Sequence, residues 1–247
     1  MGEVGQDIRE SPDIRTSERT IVIGATNPST MTREAFLVSP DLLYHGSAGP
    51  FEFNRNINYD VFSGSGSFTL GSGLYTTSDR KEATLYSKTR QNKRGVDEVP
   101  ITITEFLPYQ TRMLDLRSAS NPTKNIPVSS DFARKWLNYF KTRYDNPQFS
   151  SALRSLYGEY LSFLLKIFRE NHNPCMDLRV LLRGLYSEEN VAPEFRRFML
   201  GQGYDGLIYV EGGDSVEAKA CSSYVFYNLE KVGTYDIWHQ PKQNGAN

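Results

Sequence analysis

Cysteine, histidine and long apolar runs are all scarce in this chain of 247 residues. Two cysteines, Cys175 and Cys221, are too few for a disulfide framework, so the fold has to rest on a buried core. Three histidines (His45, His172 and His239) leave little material for a metal site. The closest pair of ligand types, His172 and Cys175, supplies half of a tetrahedral set, and no metal is expected. No run approaches the ~18 apolar residues of a membrane-spanning helix, so no membrane association is expected. Surplus charge is missing too: 28 Lys and Arg face 29 Asp and Glu, a net charge of −1. Affinity for phosphate backbones needs clustered positive charge, so nucleic acid is not an expected partner. The Gly-Ser-Gly-Ser run at 64–67 lacks the lysine and the following helix of a phosphate-binding loop and reads as flexible chain. Heptads are absent, and nothing argues for more than a monomer.

Aromatic residues, by contrast, are plentiful at 13%. Such rings fill a core or stack on something flat. Residues 1–35 are rich in Ser, Thr, Arg and Glu and read as a polar, disordered leader, either a solvated tail or a polar export signal. Residues 36–240 read as one domain. Leu42-Leu43-Tyr44-His45, Val99 to Thr104, Met113 to Leu116, Tyr204 to Val210 and Ser223 to Tyr227 have strand character, and Val232 to Trp238 reads as one strand more. Asp79 caps a helix running to about Lys88, with a basic loop to Arg94. From about 120 to 200 the pattern is helical, with Trp136, Phe140 and Tyr144 on one stripe and Leu153, Tyr157, Tyr160, Leu161 and Leu164 on another. Strands, a helical block and strands again predict an α+β domain with a helical insertion.

Three short pieces carry the chemistry. Tyr44-His45-Gly46-Ser47 ends an apolar strand. Gly73-Leu74-Tyr75-Thr76-Thr77 is followed by Ala83-Thr84-Leu85-Tyr86. Gly203-Tyr204-Asp205-Gly206-Leu207-Ile208-Tyr209 leads through an acidic stretch into Ser222-Ser223-Tyr224-Val225-Phe226-Tyr227.

In this order the pieces resemble the diphtheria-toxin-like and poly(ADP-ribose)-polymerase-like ADP-ribosyltransferases of the His-Tyr-Glu class, over about 40–116 and 200–235. The resemblance implies a split β-sandwich, NAD as substrate and no metal. It implies binding of NAD by His45, Gly46, Ser47, Tyr75, Thr77 and Tyr86, with the two tyrosines sandwiching the nicotinamide. It also implies a catalytic set of His45, Tyr75 and a carboxylate. Where polymerase-like members carry that carboxylate, this chain has Ser223, which cannot hold the charge. Ser215-Val216-Glu217-Ala218 is similar to the Ser-Val-Glu run of the toxin branch and nominates Glu217, and Glu211 is the alternative. Were 217–227 one strand, Glu217 and Ser223 would share a face. Ser215, two residues before Glu217, departs from the acid or amide of arginine-modifying members. Ala83 stands where polymerases have a carboxamide-binding serine, leaving Ser47 or Thr77 to supply a donor.

The residue types suit the reaction. Loss of nicotinamide from NAD builds positive charge on the ribose, as in glycoside cleavage, and a nearby carboxylate stabilises it. A glycine such as Gly46 lets a ligand approach the main chain. The expected activity is mono-ADP-ribosyl transfer to a protein acceptor, in the manner of a secreted bacterial effector acting in host cytosol. A ubiquitin-system or translation component would be a plausible acceptor for that class. Hydrolysis of NAD at the same site, and a non-catalytic NAD- or ADP-ribose-binding module, stay open as alternatives. The helical block is either an acceptor-recognition element or a structural buttress.

Overall fold

Two half-sheets meet along one thin seam and define the molecule. The computed structural model describes residues 19–56, 70–94, 100–121, 123–146, 151–170, 176–182, 192–211 and 220–240. Among them eight strands form one sheet. They are β1 (Arg19–Ile23), β2 (Leu43–Ala48), β3 (Leu74–Thr77), β4 (Ile101–Pro108), β5 (Thr111–Asp115), β6 (Gly206–Glu211), β7 (Cys221–Phe226) and β8 (Val232–Gly233). Their order across the sheet is β1-β5-β6-β7-β3-β2-β4-β8. All pairings are antiparallel except β5 with β6. Between β3 and β2 the ladder shrinks to one register pair, Tyr44 with Thr77. The neighbouring β2–β4 and β3–β7 ladders run the full length of β2 and β3.

The described helices are α1 (Arg33–Leu37), α2 (Arg80–Arg94), α3 (Ser130–Tyr144), α4 (Ser151–Glu170), α5 (Leu178–Leu181), α6 (Ala192–Gly201) and α7 (Tyr235–His239). The α+β class and the helical run between β5 and β6 agree with the sequence pattern. The α3 stripe is buried at Trp136 and Phe140, and α4 buries Tyr157, Tyr160, Leu161 and Leu164. These rings pack on Leu207, Tyr209 and Val225, one face of the larger half-sheet. Trp136 Nε1 donates to Tyr160 Oη at 2.8 Å, and Tyr160 donates on to the carbonyl of Leu181 at 2.7 Å, so the polar tips of the packed rings are satisfied. Leu43, Leu74, Phe106, Met113, Ile208 and Phe226 fill the opposite side.

Three local expectations need correction. The leader reading fails for residues 19–35. Ile21-Val22-Ile23 pairs with β5, and Arg19 reaches the buried Asp115 at 3.1 Å, so a charged edge segment is tied down by a carboxylate far along the chain. Residues 1–18 lie outside the described residues. The basic stretch after Lys88 is helical through Arg94 rather than looped, which fits a surface helix with few apolar residues. The last expected strand stops at Gly233, where Thr234 Oγ1 accepts from the Ile237 amide and starts α7.

Candidate active site

The thin seam is where the motif residues converge. A cleft with about 490 Å³ of atom-free space opens there, lined by β2, β3, α2, β6 and β7. His45, Gly46, Tyr75, Thr77 and Tyr86 all line it. Ser47 does not: its hydroxyl donates to the Gly49 carbonyl at 2.9 Å and closes the turn that follows β2.

His45 bridges the seam. Its Nδ1 lies 2.7 Å from the Tyr75 carbonyl. A carbonyl only accepts, so Nδ1 carries the hydrogen and Nε2 of the neutral ring is an acceptor. Burial pushes the His45 pKa down, and the bond to Tyr75 pulls it back in part. Phe51 packs on the imidazole with ring centres 4.3 Å apart. The ring is thereby held neutral and fixed in orientation.

Tyr75 is anchored at its tip. Its Oη accepts from the Leu70 amide at 2.9 Å and donates to the Gly71 carbonyl at 2.7 Å. Gly71 has a φ of +88°, a conformation that favours glycine. The Tyr75 phenol is pushed well above its usual pKa, first by burial and then by Tyr227, so it stays protonated. Tyr86 is 46% exposed at the cleft mouth. On the floor, Thr77 Oγ1 accepts from the Asp79 amide at 3.2 Å and lies 3.6 Å from Cys221 Sγ. Asp79 caps α2 as the sequence suggested, its Oδ1 accepting from the Lys81 amide at 2.8 Å.

Gly46 is required for a reason other than ligand access. A Cβ there would run into the Ala83 carbonyl oxygen and Ser87 Oγ and come within 2.8 Å of the Ala83 carbonyl carbon. What approaches this glycine is α2 itself. The small residues Ala83 and Ser87 seat the helix on β2, while Glu82 and Tyr86, one turn apart on the same helix, turn to the cleft.

Glu217 lies outside the described residues. Glu211 does line the cleft. It ends β6 opposite Cys221, and Tyr209, two residues back, sits opposite Ser223, so all four share one face. Ser223 Oγ donates to Glu211 Oε2 at 2.9 Å, and Arg179 Nη2 lies 3.5 Å from Oε1. Arg179 comes from α5, which is fastened to the sheet by the Tyr209 hydroxyl donating to Asp177. Ser223 thus bonds a carboxylate delivered by the adjacent strand.

Glu82 and Cys221 were not singled out from sequence. The signal for Glu82 was present in its spacing from Tyr86. Burial raises the Glu82 pKa, and Asp79 and Glu211 raise it further. Burial likewise raises that of the Cys221 thiol, which favours its protonated form. Among the described residues no group of three His, Cys, Asp or Glu side chains is arranged to hold a metal ion, and no helix is long and apolar enough to cross a membrane.

A scan against protein-family models matched no family, and searches of curated proteins and of solved structures matched none.

Proposed function

We propose that this chain is a mono-ADP-ribosyltransferase of the split β-sandwich type, moving ADP-ribose from NAD to a protein acceptor. One observation carries the reading. A neutral, fixed histidine, two tyrosines and a carboxylate from four separate stretches of chain line a single cleft at the sheet's thin seam. That is the set the reaction calls for. Tyr75 and Tyr86 hold the nicotinamide between them, with stacking contributing ~0.5–1.5 kcal/mol beyond area burial. His45 Nε2 accepts from a ribose hydroxyl. Gly46 lines the cleft, and its main chain is suited to pair with the carboxamide. The bond from the ribose anomeric carbon to the pyridinium nitrogen breaks, and nicotinamide leaves neutral with the electron pair. Glu211 faces the resulting cation, an acceptor nucleophile attacks the same carbon, and the acceptor's proton passes to solvent or a carboxylate. Transfer of single units rather than polymer fits Ser223, which cannot serve as a base. A host protein is the acceptor we favour, on the resemblance of the chain to toxin-branch members.

The test is incubation with NAD labelled in the adenylate and a eukaryotic lysate, beside the Glu211→Gln variant. A discrete labelled band that the variant does not produce supports transfer. Nicotinamide release without a band makes the protein an NAD glycohydrolase. NAD binding without turnover leaves a binding module.

A further inference from the structure

A second concavity adjoins the first and shares a wall with it. It is an open groove with about 900 Å³ of atom-free space between α1, the segment after β2, β4 and α7. Phe51, whose ring packs on His45, lines it. Tyr44, which lines the first cleft, packs in a cluster with Phe36, which lines the second. A molecule seated in this groove lies one side-chain layer from the histidine.

The lining has a definite chemistry. Phe36, Phe51, Phe53 and Tyr235 supply aromatic surface. Among the described residues lining it, Glu52, Glu105 and Asp236 supply three carboxylates, against Arg33 as the one basic side chain. Arg33 holds its guanidinium 5.8 Å from the centre of the Tyr235 ring, so the groove already accommodates a cation over an aromatic face. Arg80, which does not line the groove, approaches Glu105 at 4.0 Å. Leu37, at the rim, is 45% exposed, and its neighbour Val38 is 81% exposed. Exposed apolar residues beside an aromatic, acidic groove are the composition of a recognition surface for a cationic and apolar segment. The charge also weighs against the alternative nearest at hand. The pyrophosphate of NAD would meet an excess of carboxylates among the described lining residues, which disfavours this space as an extension of the dinucleotide site.

We infer that this groove docks a segment of the acceptor protein bearing arginine or lysine beside an aromatic or aliphatic side chain, and so delivers the acceptor to the transfer cleft. The inference rests on the transfer reading for the word acceptor, but the binding it requires is independent of NAD chemistry.

The experiment pairs two readouts on Glu105→Gln/Asp236→Asn and wild type. The first is fluorescence anisotropy with a fluorescein-labelled Arg-Phe-Arg-Leu-Arg peptide, and with the same peptide carrying citrulline for arginine. Wild type should bind the arginine peptide, and both the double variant and the citrulline exchange should weaken it by about fivefold or more, as expected for two partly exposed ion pairs. The second is lysate labelling beside nicotinamide release. Labelling should fall by a similar factor while release stays within about twofold. No binding to wild type, or equal binding of both peptides, overturns the groove assignment. So does undiminished lysate labelling by the double variant. Absence of nicotinamide release from wild type would instead overturn the transferase reading, leaving the peptide measurement to decide the groove by itself. Should the double variant fail to fold, the citrulline comparison on wild type still decides.

Discussion

The imidazole of His45 spans the seam between β2 and β3 through a single bond, Nδ1 to the main-chain carbonyl of Tyr75, 2.7 Å long. A side chain does there what a ladder bond does elsewhere in the sheet. The two half-sheets therefore stay close enough to share a cleft but far enough apart to leave one.

The pH dependence of stability should report this bond. Burial holds the His45 pKa below the ordinary value of about 6.5. Below that pH the unfolded chain takes up a proton at His45 and the folded chain does not, so stability falls as pH drops, until the folded pKa is passed. His45→Gln removes the titration. Thermal melts at pH 7 and pH 5.5 should show a smaller drop for the variant than for wild type. An equal drop would mean that the ring is not held neutral.

The bond from Ser223 to Glu211 makes a graded prediction. Glu211→Gln should lower nicotinamide release by about 10²–10³-fold, the scale for losing one preorganised electrostatic partner of a transition state. Ser223→Ala leaves the charge and removes one hydrogen bond, ~1 kcal/mol, or about fivefold in rate. Initial rates at saturating NAD measure both. Wild-type rates in Glu211→Gln would move the catalytic carboxylate to Glu217.

Tyr75 separates ring from hydroxyl. Tyr75→Phe keeps the stacking face but leaves the amide of the buried Leu70 without its acceptor, which should cost ~1–3 kcal/mol in urea unfolding. NAD affinity should stay within about threefold, whereas Tyr75→Ala should abolish it. Loss of affinity in Tyr75→Phe would assign the hydroxyl to the ligand.

Gly46→Ala tests how α2 is seated. The new methyl meets the Ala83 carbonyl and Ser87 Oγ, so the helix has to lift. Overpacking of this kind costs ~1–3 kcal/mol. Glu82 and Tyr86 move with the helix, so NAD binding measured by calorimetry should weaken along with the melting temperature. Unchanged binding would show that α2 does not contribute to the site.

The helical insertion has its own ionic lock. Glu194 on α6 is 1% exposed and accepts from Tyr139 and Arg143 of α3 at 2.8 and 3.0 Å. Burial pushes its pKa up, but Arg143, Tyr139 and Arg197 more than offset this and leave it lowered. Glu194→Ala removes the buried acceptor of Tyr139 and of the part-exposed Arg143 and Arg197, and should cost ~1–3 kcal/mol at pH 7 by urea unfolding. A carboxylate with a lowered pKa stabilises above its unfolded value, ~4.3, and the gap to wild type should close as pH falls below that.

The motif pieces were legible because each is local. Tyr44-His45-Gly46 ends a strand, Leu74 to Thr77 is a strand, and Tyr86 follows on a capped helix, all set by patterns within about a dozen residues. The same holds for the buried stripes of α3 and α4. Glu82 was legible as well, one turn from Tyr86, but a charge near a helix start reads as an ordinary solvated residue until its neighbours are known. Glu211 closes an apolar strand just before Gly212-Gly213, and only the register Glu211 to Cys221 and Tyr209 to Ser223 turns it to the cleft.

By itself, then, the amino-acid sequence determined the α+β class, the helical run between the strands, and most of the cleft's residue types. Alternation and helical spacing act over a few residues, and a linear chain displays them. Tertiary structure alone decided that β1 is tied to Asp115, that β2 and β3 part to leave a cleft, that Gly46 serves the seating of a helix, and that Glu211 is bonded to Ser223. Each of these joins segments distant in sequence, and which distant segments meet is set by ladder register and core packing rather than by any local pattern.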